Sequence, residues 1–186
     1  MQKEEMKVPE GKWVGIDEES FAPYRKWKTP YGYLCGTYAA AVLLAYYQDH
    51  IDETILSSEI REKNSAGNAR LIAQLRCKIQ PAGLPTIPLQ VSHGINRFLA
   101  NSTSKRRTRT TALGSWERVT KRLKQKKPVM IGVLGWLGST YGNHWVVAYA
   151  YLEAEDGRRY YKIHDNWGNY RKVIPASWAN GTVSFP

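Results

Sequence analysis

The spacing of apolar positions changes near Pro128, and the change divides the chain into a helical part followed by a strand part. Between Gly36 and Gln48, Ala39, Ala40, Ala41, Leu43, Leu44 and Ala45 put apolar side chains almost all round a helix, the pattern of one buried on every side. From Asp52 to Lys63, Ile55, Leu56 and Ile60 predict a second, amphipathic helix. Gly67, Pro81, Gly83, Pro85 and Pro88 then interrupt the chain, leaving room for short helices at Ala69 to Arg76 and Ser92 to Ala100. Lys105 to Gly114 reads as a basic loop. Ser115 is placed to cap a helix that turns Trp116, Val119 and Leu123 inward and its Lys and Arg side chains outward.

After Pro128 four short runs, Val129 to Leu134, Trp145 to Leu152, Arg159 to Asp165 and Arg171 to Ile174, have strand character, the middle two joined across the Asp156-Gly157 turn. Helices first and strands later describe an α+β domain. Met1 to Thr29 carries no sustained period, so residues 1–28 are expected to be an extended segment laid over one domain formed by residues 29–186.

Composition agrees with a single globular domain: 186 residues, 42% hydrophobic, seven Trp and twelve Tyr are enough for a core with a cleft. The net charge of +11 adds an expectation of an acidic partner, with Lys105 to Lys127 as a possible anionic contact surface or simply a solvated face. Two cysteines exclude a disulfide framework. If Cys35 is a working thiol, Cys77 is expected to be unpaired and buried. No leader with an apolar centre is visible and no apolar run spans a membrane, and a mature exported protein is favoured over a cytoplasmic one. Metal-ligand spacings, phosphate loops and dinucleotide fingerprints are missing from the sequence, so no cofactor is expected.

The chemistry gathers at three places. Cys35 opens the buried helix, where unpaired N–H groups and the positive end of the helix dipole favour a thiolate. His144, in Gly142-Asn143-His144-Trp145-Val146-Val147, stands where a loop enters an apolar strand, whereas His50 and His93 fall at helix ends. Asp165 closes the strand after the hairpin, so the far ends of the paired strands bring it opposite His144, and alternation turns neighbouring His164 to the other face. A carboxylate there would orient the imidazole and stabilise its charged form.

In this order the motifs resemble those of papain-like cysteine peptidases, and most closely bacterial C39-like peptidases: Leu34-Cys35-Gly36-Thr37 entering the helix, His144-Trp145-Val146-Val147 opening a strand, and Asp165-Asn166-Trp167-Gly168 closing the next. The resemblance covers roughly Thr29 to Pro175 and implies a papain-like α+β fold with Cys35 as nucleophile, His144 as base and Asp165 as the orienting group. It implies a peptide or protein substrate, an acyl-thioester on Cys35 and no cofactor. The sequence departs from the family where a Gln commonly stands six residues before the nucleophile: position 29 is Thr, which leaves the Cys35 N–H and the hydroxyl of Tyr31 or Thr29 as oxyanion donors. Transglutaminases and cell-wall amidases use the same triad, and a binding module on a catalytically weakened scaffold is the rival from another class.

Overall fold

The computed structural model describes residues 10–30 and 33–186. Four α-helices, α1 (Cys35–His50), α2 (Ala69–Ile79), α3 (Pro88–Phe98) and α4 (Trp116–Lys124), pack with seven strands: β1 (Val14–Gly15), β2 (Arg109–Thr111), β3 (Val129–Val133), β4 (His144–Glu153), β5 (Arg159–His164), β6 (Lys172–Pro175) and β7 (Ala179–Ser184). The sheet runs β2-β7-β3-β4-β5-β6, with every pairing antiparallel. β1 takes up the edge of β4 beyond β3, pairing Val14 with Tyr151 and Gly15 with Ala150. This is the expected α+β arrangement, a helical region packed on an antiparallel sheet.

α1 is the centre of the helical part. Twelve of its residues are buried, from Gly36 to Gln48 with Tyr38 excepted, and it packs on β3, β4 and α2. That agrees with the all-round apolar pattern. Near its C-terminus a polar network fixes the following chain: Arg61 grips Asp49 through two bonds of 2.8 Å, and the Tyr24 hydroxyl donates to the same carboxylate at 2.7 Å.

Several expectations are corrected. The helix expected over Asp52 to Lys63 is only a 3-10 turn at Glu53–Ile55. Ile55 and Leu56 are buried as the pattern required, but the carbonyls of Leu56 and Arg61 accept from the Gln48 side-chain amide and are not part of a helical ladder. The basic loop contains strand β2, recruited by the unforeseen strand β7. Cys77 is exposed, not buried, because α2 turns Leu71, Leu75 and Ile79 inward and Cys77 falls on the other face. On α4, Arg122 is buried, since it shares the inward face with Val119 and Leu123. The segment before α1 does more than lie over the domain: Phe21, Tyr24 and Trp27 enter the core, and residues Glu18–Tyr24 form a 3-10 helix.

Candidate functional site

Two elements from opposite ends of the chain meet at a cleft of about 570 Å³. Cys35 arrives as the first residue of α1, and His144 and Trp145 arrive on the opening of β4. The position of Cys35 depends on Gln80, which sequence reasoning missed. The Gln80 Oε1 accepts from the Thr37 amide and from its hydroxyl, both at 2.9 Å, while Nε2 donates to the carbonyls of Leu84 and Tyr33. A β-carbon on Gly36 would lie 2.9 Å from the Thr86 hydroxyl, so the helix start approaches that wall as closely as only Gly permits. Both Gln80 donors are engaged with carbonyls, so this Gln does not stand in for the one missing at position 29.

Burial pushes the Cys35 thiol above its ordinary value, against the pull of the backbone N–H groups of Trp145 and Gly36 and its own. Burial likewise pushes His144 down, against the Asp165 carbonyl bond and the Asp165 charge, which raise it. Both shifts favour the uncharged forms. The tautomer of His144 follows from its partner. Nε2 lies 2.7 Å from the backbone carbonyl of Asp165, which only accepts, so Nε2 carries the proton and Nδ1 keeps the lone pair. Among the described residues Nδ1 has no hydrogen-bond partner, and no hydrogen bond joins His144 to the Cys35 sulfur.

Asp165 meets His144 by a different atom from the one expected. Its carboxylate accepts from the amides of Trp167 (2.8 Å) and Asn169 (2.9 Å) and from the Tyr141 hydroxyl (3.1 Å), and leaves His144 to the main-chain carbonyl. The cause is register. β4 and β5 pair Glu153 with Arg159 beside the turn and Val147 with His164 at the far end, a register that carries Asp165 on towards Val146 and not across from His144. Asn166 turns the other way, as alternation required: it is fully buried at φ 57°, with Nδ2 donating to the Trp145 carbonyl at 2.9 Å. Of the oxyanion candidates, Thr29 is tied by its amide to the Asn166 carbonyl at 2.7 Å, and its buried hydroxyl has no partner among the described residues. Tyr31 lies outside the described residues.

Residues 18–182 match the model of the Peptidase_C39 like family. The chain belongs to that family. No curated protein matches the chain. Similar solved structures include a recombinant stem bromelain precursor, at 13% identity over 92% of this chain and 70% of that one, with a TM-score of 0.47. The bromelain protease from Ananas comosus in complex with the E64 inhibitor is 11% identical over 95% and 99% of the two chains, TM-score 0.45. The Amb a 11 cysteine protease, a ragweed pollen allergen in its proform, is 12% identical over 96% and 66%, TM-score 0.41. Likeness at that level carries no argument about the site, which rests on the chain's own residues.

Two aromatic rings complete the surroundings of His144 in this family member. Tyr141 lies nearly parallel to the imidazole, 20° between planes with centres 5.6 Å apart, and Trp167 approaches to 4.5 Å. Both stood beside the motifs in the sequence, but an aromatic residue near a loop signals packing long before it signals a role. Among the described residues no group of three or more His, Cys, Asp or Glu is placed to hold a metal, and no helix is long and apolar enough to cross a membrane.

Proposed function

We propose that the chain binds a peptide on a papain-like scaffold, with Cys35 and His144 adjoining that peptide as a thiol and imidazole held short of engagement at rest. The observation that carries this reading is that the two residues line one cleft with no hydrogen bond between them among the described residues. The missing Gln and the turned-away Asp165 carboxylate support it, since both would otherwise stabilise charge during acyl transfer. Pro85, Ile87, Leu89 and Val133 give the cleft apolar walls, suited to the side chains of an extended peptide. Under this reading the basic stretch from Lys105 to Lys127 serves as an anionic contact surface.

The second reading, a working cysteine peptidase, is favoured by the His144 tautomer. Nδ1 takes the Cys35 proton, and the sulfur attacks the substrate carbonyl carbon, whose oxygen becomes negative against the Cys35 N–H and the hydroxyl of Thr29 or Tyr31. Collapse expels the amine, which leaves with the proton from His144. Water, deprotonated by His144, then cleaves the thioester and restores the thiol. An amine in place of water makes the same residues a transglutaminase, and a cell-wall amide in place of a peptide makes them an amidase.

Alkylation separates the readings. With a haloacetamide and peptide-resolved mass spectrometry between about pH 5 and 9, the binding reading expects Cys35 to react no faster than exposed Cys77 and only as pH approaches the thiol range. A Cys35 rate about a hundredfold above that of Cys77, flat through neutrality and lost in His144→Ala, would overturn it in favour of the peptidase.

A further inference from the structure

A hollow of about 620 Å³ lies between the start of α4, the β4–β5 turn and the link from β6 to β7, with Trp116, Pro175 and Ala176 in its wall. A second, of about 590 Å³, shares Ser115, Trp116 and Arg159 with it and extends to Leu113, Arg118 and Lys121. The two form one trough, crossed where the Arg159 guanidinium sits 4.8 Å from the centre of the Trp116 ring. Trp116 is packed against Tyr151 and Tyr161, with ring centres at 5.4 and 5.6 Å, and Arg159 lies over its face, so the indole and the guanidinium together form one fixed platform.

The trough and the cleft are back to back. Thr110, Ala112 and Asn180 line the cleft, whereas Thr111, Leu113 and Ala179 line the trough. Successive strand residues face opposite ways, so the β2–β7 pair is the wall between them. Among the described residues β2 is an edge strand, bonded only to β7. A polypeptide leaving the cleft reaches the trough by crossing one strand, and Leu113, 82% exposed, stands at the crossing.

Charge identifies what would lie there. Arg158 and Arg159 are already held by Asp156 and Glu153, but Arg118 and Lys121 have no ion-pair partner among the described residues. Glu117, Glu153 and Asp156 beside them interrupt any continuous positive track of the kind a phosphate backbone follows. Isolated cations next to an aromatic platform and an exposed Leu instead match carboxylate side chains alternating with an apolar one. We infer that the trough binds an acidic stretch of the same polypeptide whose neighbouring residues occupy the Cys35 cleft. This rests on the reading that a polypeptide fills that cleft.

The test titrates a fluorescent peptide of about ten residues, rich in Glu and Asp with one Phe, into the full chain and follows anisotropy. Saturable binding that weakens with salt is expected, and Arg118→Glu with Lys121→Glu should weaken it about tenfold or more while leaving the Cys35 alkylation rate unchanged. Arg25→Glu with Lys26→Glu makes the same change in charge on an exposed turn outside the Lys105 to Lys127 stretch and should leave binding nearly intact. An equal loss in that control, no saturable binding, or tighter binding of a single-stranded oligonucleotide of matched charge each overturns the proposal. The cleft is scored separately, by whether peptides without acidic residues slow alkylation of Cys35. Loss of that protection with trough binding intact counts against the cleft reading alone.

Discussion

Replacing Asp165 by Asn and by Ala distinguishes a carboxylate that acts on His144 from one that shapes the loop. The carboxylate accepts three hydrogen bonds, two from the Trp167 and Asn169 amides to Oδ1 and one from Tyr141 to Oδ2, while His144 is held by the main-chain carbonyl. In Asp165→Asn the amide oxygen still receives both loop N–H groups, and its NH2 donates to the Tyr141 hydroxyl. The change should cost about 1 kcal/mol, the difference between charged and neutral acceptors. In Asp165→Ala three part-buried donors lose their partner, which at about 1–2 kcal/mol each gives a loss of about 3–6 kcal/mol. For a chain of this size that lowers Tm by about 10 °C. The loop then no longer aims the 165 carbonyl at Nε2, and His144 loses its tautomer. Calorimetry with the 15N shifts of the His144 imidazole checks both effects: Asn should keep the Nε2-protonated tautomer and Ala should not. Folded Asp165→Asn with that tautomer lost as far as in Ala would refute the reasoning and return the carboxylate to His144.

Three further outcomes are expected. Burial alone would raise Asp49, but Arg61, the Asn64 amide and Tyr24 outweigh it and hold the carboxyl below its ordinary value. Its contribution is therefore complete above an unfolded value of about 3.9 and is lost as pH falls through the lower folded value; denaturant midpoints of wild type and Asp49→Asn should converge in that range. Asn166 sits at φ 57°, so Asn166→Gly should be less destabilising than Asn166→Ala by about 1 kcal/mol, although both lose the bond to the Trp145 carbonyl; equal midpoints in urea would show that the backbone conformation carries no cost. Tyr141→Phe keeps the ring against His144 and loses only the Asp165 bond, so it should shift the His144 titration seen by NMR less than Tyr141→Leu does, and the reverse order would remove the ring from the account.

Much of this was legible because it depends on period. The all-round apolar stretch after Cys35, the breaks at Gly and Pro and the alternation after Pro128 locate α1, α2, α4 and β3 to β6. What escaped depends on partners far along the chain. β2 and β7 are short and polar, and each is a strand because the other, or β3, bonds to it. The failed helix after Asp52 has helical spacing, but Gln48 claims its carbonyls from the previous turn. At the site, residue identities were readable from motif order, while the atom by which Asp165 reaches His144 was not. The register of the β4–β5 hairpin, which carries Asp165 past Val147–His164 and not across from His144, is not fixed by composition. Gln80 was invisible for a similar reason: a polar residue between a helix and a Pro reads as surface until the fold brings Thr37 to it.

The unequal anchoring of the two sides of the cleft has a kinetic consequence. His144 rides on a strand whose amides are shared with β3, β1 and β5, so its exchange with solvent is governed by global opening. Cys35 opens a helix with no side-chain cap, and one buried amide side chain, Gln80, fastens the chain on either side of it. Mild denaturant should therefore free the start of α1 while the sheet is still protected. Thiol accessibility would then rise well before circular dichroism changes, and the protein would pass through a state in which its sulfur is exposed and its base still in place.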